Sequence, residues 1–81
     1  GAIVEHDCLI GRHNHIAPGA VLSGSVITKD FVHISTGASV IQGMNIGANA
    51  VVAAGANVNK SISENSICYA AENYIKVDEK K

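Results

Sequence analysis

The stretch VEHDCLIGRHNHIAPGAVLSGSVITKDFVHISTGASVIQGMNIGANAVVAAGANV, residues 4–58, carries a six-residue beat almost without interruption. Every sixth residue from Val4 gives Ile10, Ile16, Leu22, Thr28, Ile34, Val40, Ile46, Val52 and Val58, and nine of these ten positions are aliphatic. Four residues after each stand Cys8, Asn14, Ala20, Val26, Val32, Ala38, Met44, Ala50, Ala56 and Ile62; nine of these ten are apolar, and most are small. A period of six fits neither the 3.6 residues of a helical turn nor the simple alternation of a strand. It fits a solenoid in which each hexad forms one short side of a triangular coil.

The aliphatic first residue of each hexad points inward. The small fifth residue also faces inward, near a corner where space is tight. Glycine recurs at the fourth place as Gly19, Gly37, Gly43 and Gly55, with Asn49 in the same phase. These residue types tolerate left-handed backbone angles, so this phase marks the corners. Three hexads close one coil, and residues eighteen apart then stack at the ~4.8 Å spacing of neighbouring strands. The coils run from Val4 to Val21, from Leu22 to Ser39 and from Val40 to Asn57. A partial fourth begins at Val58 and is expected to fail at Glu64, where an aliphatic residue is due. The expectation is an all-β chain: a left-handed parallel β-helix of three to four coils over residues 1–63, followed by a short C-terminal cap and tail over 64–81. Tyr69, Ala70 and Ala71, followed by Tyr74 and Ile75, read as a short strand or helix over the open end, with fraying from Asp78 onward. An uncapped first coil would expose apolar interior. A longer protein, of which this is the carboxy-terminal part, or a second chain over that end is therefore expected.

Composition agrees. In 81 residues only Phe31, Tyr69 and Tyr74 are aromatic, whereas a thin solenoid interior is filled by stacked Val, Ile and Ala. A net charge of −1 argues against binding nucleic acid through its phosphates. No apolar run is long enough to span a bilayer, and no signal peptide is visible. Two cysteines are too few for a disulfide framework; Cys8 sits at an inward phase and reads as core. A cytoplasmic protein is expected.

The interior phases leave a polar group unexplained: Glu5, His6, Asp7, His13, His15 and His33, all at outward phases. His6 is the third residue of its hexad, and Gly24 lies one coil above it. His15 and His33 are sixth residues one coil apart, so their side chains should stack. His13 falls at a corner and reads as solvated surface.

The run Val4-Glu5-His6-Asp7-Cys8-Leu9-Ile10-Gly11, with His15-Ile16, Gly19-Ala20 and Gly24, resembles the bacterial sugar acetyltransferases of the left-handed β-helix superfamily, of the sialic-acid O-acetyltransferase and bacillosamine N-acetyltransferase type. The resemblance covers most of residues 1–62. It implies transfer of an acetyl group from acetyl-CoA to an amine or hydroxyl of a sugar or nucleotide-sugar, with no metal. His6 would be the general base, since imidazole exchanges protons near neutrality. Asp7 would orient it and stabilise its protonated form. His15 would contact the thioester side of acetyl-CoA, and the Gly24 N–H would hold the carbonyl oxygen as charge develops there. Ala53, Ala54 and Gly55 would let the pantetheine arm lie against backbone. A homotrimer with sites between neighbours is implied as well.

Two features depart from that pattern. Where the family carries a G-x-P-A-K segment near the CoA nucleotide, this chain reads Tyr69-Ala70-Ala71-Glu72-Asn73. The relatives also carry an N-terminal nucleotide-sugar-binding domain that these residues do not include. Two other readings stay open. A trimerisation module would keep the aliphatic ladder without needing the His-Asp pair. A γ-class carbonic anhydrase would need a His pair about five residues apart and a third about two coils earlier; the spacings here include two, seven, nine and eighteen, and none is five.

Overall fold

The computed structural model describes residues 1–70 and 75–79. Its first ten strands are two residues long: β1 (Ile3–Val4), β2 (Leu9–Ile10), β3 (His15–Ile16), β4 (Val21–Leu22), β5 (Ile27–Thr28), β6 (His33–Ile34), β7 (Ser39–Val40), β8 (Asn45–Ile46), β9 (Val51–Val52) and β10 (Asn57–Val58). Each hexad contributes one such strand, which ends on the inward first-place residue. Parallel pairing sets β1-β4-β7-β10 in a first sheet, β2-β5-β8 in a second and β3-β6-β9 in a third. Register places residues eighteen apart side by side: Val4 by Leu22, Ile10 by Thr28, Ile16 by Ile34. The result is the expected left-handed parallel β-helix.

Between strands the chain turns through a left-handed residue at the fourth hexad place. Among the described residues, ten have positive φ there: Asp7, His13, Gly19, Ser25, Phe31, Gly37, Gly43, Asn49, Gly55 and Asn65. The corner phase read from four glycines and one asparagine therefore holds where other residues occupy it. Inside, Leu22, Val26, Val32, Ile34, Val40, Ile46, Val52 and Val58 are fully buried. Each such side chain contributes about 1.5–3 kcal/mol of burial free energy. The two polar exceptions to the ladders satisfy each other. Thr28 Oγ1 donates to Asn14 Oδ1, and Asn14 Nδ2 donates to the carbonyls of Arg12 and Lys29 at 3.0 and 2.8 Å.

Glu64 does not end the ladder. After Val58 the frame shortens by two residues and restarts at Ile62, which bridges Ile46 sixteen residues back. The shifted frame puts Asn65 at the left-handed corner and Cys68 inside, paired with Val52. Strand β11 (Ser66–Ala70) thereby extends the third sheet, and β12 (Ile75–Glu79) pairs antiparallel to it. The fraying expected from Asp78 is not found through Glu79: Asp78 Oδ2 accepts a hydrogen bond from the Tyr69 hydroxyl at 2.6 Å. That bond holds the Tyr69 phenol above its ordinary pKa. The expected cap residues Ala71 and Tyr74 lie outside the described residues.

Ser61 makes the slip possible. Its Oγ accepts the Asn45 N–H at 3.0 Å, standing in for the carbonyl that a full-length corner would supply. Ser61→Ala leaves that N–H without its protein acceptor. A loss of about 1 kcal/mol is expected, read as a lower denaturant midpoint at unchanged slope.

The two ends of the solenoid differ. Val4 and Ile10, interior by phase, are 46% and 41% exposed in the first coil. Val58, Ile62 and Cys68 at the other end are buried, with Val77 of β12 packed on the core. Burial pushes the Cys68 thiol up, against the opposing pull of Lys60. Cys8 is half-buried against the core, its thiol donating to the Ser23 carbonyl at 3.2 Å.

Candidate active site

The corner between the first and second sheets carries Glu5, His6, Asp7 and Cys8 in the first coil and Ser23, Gly24, Ser25 and Val26 in the second. Neighbouring residues can interact side chain to side chain only if the backbone bends sharply between them. It does so here, because Asp7 adopts φ +61°, a conformation that Asp tolerates. His6 Nδ1 then lies 3.2 Å from Asp7 Oδ2. A carboxylate at Nδ1 selects the tautomer that carries its proton there. Nε2 is left as the acceptor, which is the arrangement a general base requires.

The imidazole lies over Gly24. A Cβ at that position would stand 3.1 Å from His6 Cε1 and 3.4 Å from Nε2, so the missing side chain is what lets the ring settle there. The backbone ties the two coils together at this point: the Ser25 N–H donates to the His6 carbonyl at 3.1 Å, and the Gly43 N–H to the Gly24 carbonyl at 3.0 Å. The Gly24 N–H itself has no protein acceptor among the described residues. An equivalent N–H on another corner shows what such a group binds. The Arg12 N–H, also third in its hexad, donates to Asp30 Oδ1 at 2.7 Å. A third-position N–H in this fold is thus within reach of an anionic oxygen. The side chains of His6 and Asp7 are 79% and 81% exposed, so the pair is open to a reactant.

The other residues singled out from sequence do not join this group within one chain. His15 projects from β3 on the third sheet, where its ring stacks on that of His33 at 4.7 Å between centroids, as their phase required. Ala53, Ala54 and Gly55 form the third-coil corner between the third and first sheets, with Ala54 and Gly55 exposed. Of the substituted G-x-P-A-K segment, Ala71, Glu72 and Asn73 lie outside the described residues. Among the described residues no cluster of three or more His, Cys, Asp or Glu side chains is placed to hold a metal ion.

One feature escaped the sequence reading. An open groove of about 700 Å3 runs over the second sheet, immediately along the chain from the His6 corner. Leu9 and Ile27 give it apolar walls, Gly11 and Gly47 keep it shallow, and Lys29 and Glu64 carry charge along it. Its signal was present: Gly11 and Gly47 occupy the second hexad place, outside the corner phase, one coil to either side of Lys29. Both are forced by close approach. A Cβ on Gly11 would come 2.5 Å from the Lys29 carbonyl carbon.

No family model matches the chain. It is 32% identical over 63 residues, 78% of its length, to the UDP-3-O-acylglucosamine N-acyltransferases of Methylorubrum extorquens (strain PA1) and Methylorubrum populi. To the enzyme of the same name from Methylobacterium sp. (strain 4-46) it is 32% identical over 59 residues, 73% of the chain. It spans only 18% of the length of the first two relatives and 17% of the third. Among solved structures, Francisella novicida UDP-N-acetylglucosamine acyltransferase matches with a TM-score of 0.91 at 26% identity, covering 95% of this chain and 28% of that one. The chain is thus a left-handed parallel β-helix, similar in sequence to one part of the UDP-3-O-acylglucosamine N-acyltransferases and in backbone to one part of the Francisella novicida enzyme.

Proposed function

We propose that this β-helix carries the catalytic face of an acyltransferase that moves an acyl group from a thioester donor to an amine or hydroxyl of a sugar or nucleotide-sugar. One observation carries the reading: His6, held by Asp7 through Nδ1, lies over Gly24 with Nε2 left to accept a proton. Nε2 takes the proton from the attacking nitrogen or oxygen as it adds to the thioester carbonyl. The oxygen that gains charge is received by the Gly24 N–H. When the tetrahedral adduct collapses, the C–S bond breaks and the protonated imidazole returns its proton to the departing thiolate. The names of the similar proteins, all acyltransferases with UDP-sugars in their names, support this reaction class.

Acetyl-CoA as donor follows from the likeness of Val4–Gly11 to the sialic-acid and bacillosamine acetyltransferases. His15, Ala53, Ala54 and Gly55 are assigned to the donor. They lie on faces other than the His6 corner, so they reach a donor at His6 only from a neighbouring copy. A homotrimer, with each site shared between two chains, supplies that neighbour. The two free thiols fit a reducing compartment, the cytoplasm.

The test is acetyl-CoA titration by calorimetry on a sample whose mass is known from light scattering. Free-thiol release is then followed with UDP-linked amino and hydroxyl sugars as acceptors. One donor site per subunit of a trimer, with acceptor-dependent thiol release, is expected. A folded trimer that neither binds acetyl-CoA nor releases thiol would leave a trimerisation module as the reading.

A further inference from the structure

The corner between the second and third sheets carries a feature that the acyl-transfer site does not use. Its left-handed positions, one per coil, are His13, Phe31, Asn49 and Asn65, with φ of 57°, 60°, 61° and 57°. Asn suits that conformation, whereas a bulky side chain there is strained. Among the ten left-handed corner residues described, Phe31 is the one large apolar side chain. Burial does not compensate for the strain, because Phe31 remains 58% exposed. Its ring lies nearly parallel to that of His13, with centroids 5.1 Å apart and planes 14° apart. Strain held at an exposed position points to a function outside the fold.

Arg12 stands beside this two-ring step. Its carbonyl accepts the Phe31 N–H at 2.9 Å. Its side chain is 85% exposed, and the guanidinium reaches Asp30 only at 3.6 Å. Aromatic rings next to an exposed guanidinium are the pairing that takes up a planar base together with its phosphate. The step sits on a convex edge of the triangular coil. An edge this narrow offers little of the ~800 Å2 per partner that a stable protein interface buries, whereas one base ring covers it.

We propose that His13, Phe31 and Arg12 form a nucleotide-binding edge: the base packs against the Phe31–His13 step and its phosphate pairs with Arg12. The inference rests on the acyl-transfer reading only for the source of the nucleotide, since a CoA donor ends in an adenine nucleotide and a UDP-sugar acceptor in a uridine nucleotide.

The test is titration of the full chain with ADP and, separately, UDP, followed by saturation-transfer NMR and calorimetry. Neither probe carries an acyl group, so the result is independent of whether His6 transfers one. Binding of ADP would assign the edge to the donor, and binding of UDP to the acceptor. Phe31→Asn, which puts at this corner the residue found at Asn49, is expected to raise Tm while weakening the bound nucleotide roughly ten-fold or more. Arg12→Gln should weaken it as well and flatten its salt dependence. Absence of binding by both nucleotides to the wild-type chain, or undiminished affinity in a folded Phe31→Asn variant, would overturn the proposal.

Discussion

His6→Ala is expected to lower acyl transfer by roughly 10²–10⁴-fold, the range that a positioned general base supplies. The side chain is 79% exposed, and its polar contact is with Asp7. Its removal should therefore shift stability by no more than about 0.5 kcal/mol, and the oligomer should persist. Donor affinity should hold, because the base acts on the acceptor's proton. The loss would then fall on the rate constant at saturating donor and acceptor. Initial rates of thiol release, with Tm measured on the same samples, separate this outcome from unfolding. A folded His6→Ala protein with wild-type turnover would remove His6 from the chemistry and leave the His6–Asp7 pair as a surface contact.

Gly47→Ala is expected to be the most damaging single-methyl change in the chain. A Cβ there would lie 2.4 Å from the Glu64 nitrogen and 2.7 Å from the Glu64 Cα and the Ser63 carbonyl carbon. These are backbone atoms of the next coil, pinned by the Gly47 N–H to Ile62 carbonyl hydrogen bond at 2.8 Å. No side chain can rotate away, so a coil must move. Overpacking of this kind costs on the order of 3 kcal/mol, which in a domain of this size lowers Tm by roughly 10 °C or more. Gly37→Ala is the control. Gly37 has φ +71° and nothing within 4 Å of its would-be Cβ, so only the left-handed conformation is penalised, by about 1 kcal/mol. Thermal unfolding of the two variants would rank these effects. A larger loss at Gly37 would show that corner strain outweighs close packing between coils.

The architecture was legible because a six-residue period has few physical solutions, and the inward phases named the buried residues from Ala20 to Ile62 correctly. The exceptions were not legible. Thr28 and Asn14 broke the pattern singly in sequence and are reconciled only by the coil that brings them together. The restart at Ile62 was missed because counting in sixes cannot see two residues removed. Only the Ser61 hydroxyl and the buried Cys68 reveal it. At the site, the phase of His6 over Gly24 and of His15 beside His33 could be counted, and both placements match the structure. The bend at Asp7 could not be counted, because it depends on a backbone angle. Gly11 and Gly47 stand at the second hexad place and Gly24 at the third, all outside the corner phase, and phase alone does not say what each makes room for. Only coordinates show that Gly24 makes room for a ring and the other two for the backbone of the next coil.

The shortened corner at Lys60–Ser61 has a wider consequence. In a frame counted in sixes, a two-residue deletion would leave every later side chain two places out of phase. Here the error is absorbed within one bend: Ile62, Ser66 and Cys68 face inward as if nothing had been lost. Corners of this solenoid therefore act as splice points. Length can be edited at one of them, outward-facing chemistry exchanged, and the interior downstream still read in frame.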